Sequence, residues 1–205
     1  MPLFVKICGL CRGVDVEAAV ALRPDALGFV FWPRSPRAAR PEDVAAWTRG
    51  LPAGIERVGV FVDEPPDVVR AAAEAAGLTI VQLHGREGPE ACGAAWPRVW
   101  KAFSLSQGPA CVLQPYPVEA YVVDSGTAAM PGGTGRPVDW GAAADIVRES
   151  PRPVVLAGGL TPENVALAVD RVRPWGVDVS SGVESAPGRK DAARMREFVN
   201  RCREC

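Results

Sequence analysis

Eight short apolar runs rich in β-branched residues, helix-type segments between them, and a spacing of about 26 residues per unit predict an α/β fold. The predicted architecture is a compact single-domain (βα)8 TIM barrel over residues 1–205, with eight parallel strands inside and helices outside. An open doubly wound sheet is the alternative that the same alternation allows.

The strands are FVKIC (4–8), ALGFVF (26–31), RVGVFV (57–62), TIVQL (79–83), RVWKAF (98–103), AYVVD (120–124), PVVLA (153–157) and GVDVS (176–180). Each is nearly continuous in apolar character, as strands covered on both faces are. Helices are expected from VDVEAAVAL at Val14, from PEDVAAW at Pro41 with acidic residues in its first turn, and from EPPDVVRAAAEAAG, ending on Gly77. VDWGAAADIV from Val138 carries similar spacing, and TPENVALAV places Thr161 as N-cap ahead of Pro162. The fifth helix should be weak or short, because 104–118 holds Pro109, Pro115 and Pro117.

With 48% hydrophobic and 23% charged residues and a net charge of −1, the chain has the composition of a soluble globular protein. Its basic residues are interleaved with acidic ones, which excludes the stripe that nucleic acid demands. No run reaches the roughly 20 apolar residues that cross a bilayer, and Met1 leads directly into FVKIC, so the expected setting is cytoplasmic and away from membranes. Six cysteines (8, 11, 92, 111, 202 and 205) do not form a disulfide framework in that setting. The single histidine, His84, excludes mechanisms needing two imidazoles.

In such a barrel the loops after the strands form one functional rim. After the seventh and eighth strands, AGGLTPEN and SSGVE are glycine and serine turns whose N–H groups suit a phosphate; tight turn geometry alone also explains such glycines. PGGTGR (131–136) lies in a longer loop and reads as a lid or a plain connection. Cys8 and Asp124 are the complementary reactive pair on the rim, a thiol able to serve as base and a carboxyl able to serve as acid. Taken singly, Cys8 also reads as a small buried hydrophobe and Asp124 as a turn residue.

KICGL (6–10), GFVFWPRSPR (28–37), VGVFVDE (58–64), VQLHG (81–85), DSGTAAMPGGTGRPVDW (124–140), LAGGLTPENV (156–165) and GVDVSSGVESAPGRKD (176–191), in this order, resemble the phosphoribosylanthranilate isomerase family over essentially the whole chain. The resemblance implies a tryptophan-pathway enzyme, free of metal and cofactor, that performs an Amadori rearrangement on a small phosphosugar. It maps the general base onto Cys8, the general acid onto Asp124 and the anthranilate-carboxylate arginine onto Arg37, with the phosphate at Gly158, Gly159, Ser181 and Gly182. Cys11 stands where the family commonly has threonine, and Val138 where it has an aromatic residue.

An ordinary thiol, with a pKa of about 8.5, is mostly protonated at neutral pH, so Cys8 as base calls for a neighbour that favours thiolate. Lys6, two residues earlier on the same strand, is one candidate and His84 a second; Asp178 on the eighth strand is expected to point inward as support or to bind a substrate hydroxyl. C-x-x-C spacings at Cys8/Cys11 and Cys202/Cys205 raise a zinc reading. Barrel topology opposes it, since the first strand and the last helix end on opposite faces. A histidine-pathway isomerase or a non-catalytic phosphate-binding module are the remaining alternatives, and a monomer or a homodimer fits the sequence equally.

Overall fold

A computed structural model of the chain describes residues 2–105, 116–124 and 139–205. Eight strands close into a parallel barrel in chain order: β1 (Phe4–Ile7), β2 (Ala26–Val30), β3 (Glu56–Phe61), β4 (Ile80–Leu83), β5 (Val99–Ser104), β6 (Ala120–Asp124), β7 (Val154–Leu156) and β8 (Gly176–Val179). The seam is the β1–β8 pairing, where Lys6 stands in register with Asp178. This is the expected barrel, and closure rules out the open sheet.

Outside it, among the described residues, lie α1 (Gly13–Val20), α2 (Pro41–Trp47), α3 (Pro66–Ala76), α4 (Pro89–Ala95), α5 (Trp140–Glu149), α6 (Val165–Val172) and α7 (Ala192–Arg203). The expected weakness of the fifth helix concerns a segment mostly outside the described residues, as does the PGGTGR loop. Gly77 ends α3 in the left-handed region at φ 63°, which a glycine adopts without steric cost. Asp139 and Asp191 cap α5 and α7 by accepting N–H bonds from the first turn.

The expected N-cap at Thr161 is corrected: residues 162–164 form a turn and the helix begins at Val165. Asn164 braces this entry, its Oδ1 accepting from the Thr161 N–H at 2.8 Å while its Nδ2 donates to the Gly159 carbonyl at 2.9 Å. The side chain thereby ties the helix entry to the loop after β7. A feature with no counterpart in the expectations follows β8: a 3-10 turn, Ser181–Val183, then a hairpin of β9 (Glu184–Ala186) and β10 (Arg189–Lys190).

Strand periodicity sorts the core into two shells. Val5, Ile7, Leu27, Phe29 and their equivalents pack outward under the helices, whereas Ala26, Val58, Ile80, Trp100, Val122 and Val155 fill the barrel. Phe4, Trp100 and Trp175 plug the amino-terminal end, with Phe4 stacked on Trp175 at 4.5 Å between centroids and edge-on to Trp100 at 5.7 Å. Above the plug the interior turns polar, with Lys6, Gln82 and Asp178 all buried.

Gly28 of β2 makes room for this polar layer. A Cβ there would sit 2.7 Å from Cys8 Sγ and 3.0 Å from Lys6 Cε. Gly28→Ala is therefore expected to cost about 1–3 kcal/mol by overpacking, read as a lower urea midpoint. An unchanged midpoint would show that the Cys8 and Lys6 side chains yield freely.

Candidate active site

A cavity of about 450 Å³ opens at the carboxyl ends of the strands, within the range of small-molecule sites. Cys8, Arg37, His84, Asp124, Gly158, Gly159, Asp178, Ser181 and Gly182 all line it, and with Val60 and Val62 of the third unit the described residues of seven βα units converge on one space. Lys6 is the exception among the residues singled out from sequence, lying beneath the floor rather than on the wall.

Cys8 ends β1 with its N–H donating to the Val179 carbonyl at 2.8 Å, which anchors it across the seam. It is only 7% exposed. Gly9 then turns the chain at φ 70°, where a Cβ would meet Arg37 Cδ and Ser180 Oγ. Burial, followed by the charge of Asp178, pushes the Cys8 thiol above its ordinary value, and Lys6 and Lys190 offset only part of that. Lys6 thus acts on Cys8 in the expected direction, toward thiolate, without outweighing burial. The Lys6 ammonium also donates to Asp178 Oδ2 at 2.6 Å and to Gln82 Oε1 at 3.0 Å. Burial works against that cation, yet Asp178 and Cys8 together hold it above the usual lysine range.

His84 does not compensate. Burial holds its imidazole below the usual range, outweighing Asp124, the charge that acts on it most strongly. Its Nδ1 lies 3.2 Å from Gln82 Nε2. Beneath it Lys101 donates to the Gly85 carbonyl at 2.7 Å and to Glu87 Oε2 at 2.9 Å, and Glu87 in turn accepts the Gly85 and Asp63 N–H groups. This buried pair holds the loop that carries His84.

Arg37 reaches the rim and forks onto Glu184, with Nε to Oε1 at 2.8 Å and NH2 to Oε2 at 2.7 Å. Lys190 donates to the same Glu184 Oε1 at 2.9 Å and to the Ser180 carbonyl at 3.0 Å. Two cations thus share one carboxylate, leaving this cluster of three with one positive charge in excess. Burial disfavours the Glu184 charge, but Arg37 and Lys190 outweigh it and hold the carboxyl below its ordinary range.

The loops after β7 and β8 meet closely. A Cβ on Gly182 would overlap the Leu160 carbonyl oxygen, so only glycine fits that approach. Among the described residues, the N–H groups of Gly159, Leu160, Ser181 and Gly182 donate to no backbone carbonyl. Four such donors around one corner of a cavity can take an anion.

Cys202 lies on α7, beside Leu3 and Trp175 at the amino-terminal end of the barrel. The two C-x-x-C spacings therefore do not come together.

The model of the N-(5'-phosphoribosyl)anthranilate isomerase family matches residues 5–201. The chain belongs to that family. It is accordingly an isomerase of tryptophan biosynthesis. Among relatives in the family, the chain is 46% identical to the N-(5'-phosphoribosyl)anthranilate isomerase of Pelobacter propionicus, with 98% of this chain and 95% of that protein covered. The crystal structure of phosphoribosyl anthranilate isomerase from Thermus thermophilus superposes with a TM-score of 0.87 at 39% identity, covering 98% of both chains. A further phosphoribosyl anthranilate isomerase structure holds reduced 1-(o-carboxyphenylamino)-1-deoxyribulose 5-phosphate; it matches at a TM-score of 0.84 and 34% identity, over 99% of this chain and all of that one.

Among the described residues, Gln82 on the cavity wall, and Glu184, Lys190 and the Lys101–Glu87 pair behind it, were not singled out by the sequence reading. Gln82 carried a signal, being a polar residue two positions from both Ile80 and His84 on an inward-facing strand. The hairpin pair carried none, since charges in a short turn read as solvated.

Asp178 raises the Cys8 thiol by charge and also sequesters Lys6. Asp178→Asn removes the charge and frees the ammonium, so Cys8 should react with iodoacetamide about tenfold faster at neutral pH. Site-resolved mass spectrometry separates it from the other thiols; an unchanged or slower rate would contradict this electrostatic account.

Proposed function

We propose that Cys8 is the general base and Asp124 the general acid of an Amadori rearrangement converting N-(5'-phosphoribosyl)anthranilate into 1-(o-carboxyphenylamino)-1-deoxyribulose 5-phosphate. The observation that carries this reading is the placement of both groups on one cavity whose far corner offers free backbone donors. In the scheme Asp124 protonates the ribose ring oxygen, the C1′–O bond breaks, and the anthranilate nitrogen supplies the electron pair that forms the Schiff base. Cys8 then removes the C2′ proton, giving an enolamine that tautomerises to the ketone. Protons and electrons balance within the substrate, so the scheme draws on no metal or cofactor.

The phosphate rests against Gly158, Gly159, Ser181 and Gly182, and Arg37 receives the anthranilate carboxylate. The Arg37–Glu184 fork supports that role by fixing the guanidinium plane at the rim while leaving further N–H groups to donate. Asp178 Oδ1, buried and without a hydrogen-bond partner among the described residues, supplies an acceptor for a sugar hydroxyl. No helix of the described residues is long and apolar enough to cross a membrane. We place the reaction in the cytoplasm, catalysed by a monomer or a homodimer.

Because burial raises the Cys8 thiol, the thiolate is a minor form at neutral pH, and kcat/KM should rise with pH through the raised thiol range. Cys8→Ala and Asp124→Asn are each expected to lower kcat by about 10²–10⁴-fold. A fluorescence assay of phosphoribosylanthranilate consumption measures this, and near-wild-type turnover in either variant removes that residue from the scheme. Arg37→Ala should raise KM about tenfold or more with kcat far less affected, as expected when a charged hydrogen bond to bound substrate is lost. An unchanged KM rejects the carboxylate assignment.

A further inference from the structure

Three charged side chains run from the cavity into the protein behind it. Arg37 lines the cavity, whereas neither Glu184 nor Lys190 does. Exposure falls in the same order, the side chains of Arg37, Glu184 and Lys190 being 15%, 4% and 0% exposed. Glu184 occupies one edge of the guanidinium with both oxygens, and the remaining N–H donors lie on the other edge. Lys190 meets the same carboxylate from inside, 2.9 Å from Oε1, the oxygen that also accepts from Arg37 Nε at 2.8 Å.

The lysine is fixed in that place by its surroundings. Its Nζ donates to the Ser180 carbonyl at 3.0 Å, and its backbone N–H donates to Asp15 Oδ2 at 3.2 Å. Gly188 turns the hairpin at φ 75°, its carbonyl accepting from Cys11 Sγ at 3.2 Å. A Cβ on Gly188 would sit 2.9 Å from the carbonyl oxygen of Pro36, the residue before Arg37. The hairpin is thus held against the loops after β1 and β2. Asp15 lies 3.6 Å from Arg12, so including that pair adds one charge of each sign and leaves the excess at one positive charge.

Without Lys190, Arg37 and Glu184 would form a closed neutral pair. A carboxylate approaching the outer edge of Arg37 would then meet the Glu184 anion just behind the cation, and two carboxylates sharing a partly buried site repel strongly. With Lys190 in place the Glu184 charge is cancelled from within, and the outer edge of Arg37 keeps an uncompensated charge.

We propose that Lys190 is a positioning residue for the anthranilate carboxylate, acting through Glu184 and Arg37: it neutralises the carboxylate that orients Arg37, and so leaves the guanidinium free to pair with substrate. The inference rests on the reading of Arg37 as the partner of that carboxylate and goes beyond it by naming the residue that keeps Arg37 available.

The test measures a preference by calorimetric titration of the intact enzyme. The two probes are reduced 1-(o-carboxyphenylamino)-1-deoxyribulose 5-phosphate and the same compound without its carboxyl group, and the ratio of their Kd values reports the carboxylate alone. Lys190→Met should lower this ratio about tenfold, the size of one charge-assisted hydrogen bond. Equal weakening of both probes, or no change, overturns the proposal and leaves the lysine a structural part of the hairpin. Glu184→Gln added to Lys190→Met removes the uncancelled charge while keeping an acceptor for Arg37 Nε, so the double variant should recover the ratio to within about threefold of wild type. Failure to recover overturns the charge account. If Lys190→Met does not fold, the double variant decides alone, a tenfold loss of the ratio counting against the proposal. Arg37→Ala keeps the two readings apart: a ratio intact there removes the carboxylate assignment itself, whereas a ratio lost there and kept in Lys190→Met rejects only the role of the lysine.

Discussion

The Lys6–Asp178 ion pair governs the catalytic end of this barrel. It joins the first and last strands at the seam, in register and at 2.6 Å, with the lysine side chain wholly buried. A buried pair of this kind gives little net stability relative to apolar residues of the same volume, whereas losing one partner costs about 3–5 kcal/mol. Its presence is therefore better explained by what it orients. Gln82, and through it His84, takes its direction from the ammonium, and the Cys8 thiol lies in the combined field of both charges.

Around that floor the site divides its work between backbone and side chains. The corner formed by the loops after β7 and β8 offers N–H groups at a spacing set by the fit of Gly182 against Leu160. The opposite wall is made of side chains whose states are set by neighbours: Arg37 by Glu184, Glu184 by Lys190, and His84 by Gln82. Lys190 joins the two halves, since one ammonium holds both the Ser180 carbonyl and the carboxylate that orients Arg37.

Much of this was legible in the amino-acid order, and the remainder has physical reasons for being hidden. Continuous β-branched runs located all eight strands to within a residue or so, because a strand covered on both faces has one composition. Gly77 and Pro41 marked helix boundaries through backbone geometry that neighbours cannot override. Thr161 misled because a turn over 162–164, braced by Asn164, precedes the helix, and the local start signal does not show it. Lys6 was placed on the correct side of its strand by periodicity, but its partner lies 172 residues away, and no local pattern shows that its charge is already used. The Glu184–Lys190 hairpin was invisible for a related reason: its burial comes from packing against Arg37, Ser180 and Asp15 rather than from its own sequence.

The aromatic plug of Phe4, Trp100 and Trp175 has a consequence for traffic. With the amino-terminal end closed by stacked rings, the barrel is a vessel with one mouth. Whatever enters must turn back to leave, so departing product and arriving substrate queue at the same opening, and so does any water displaced in between.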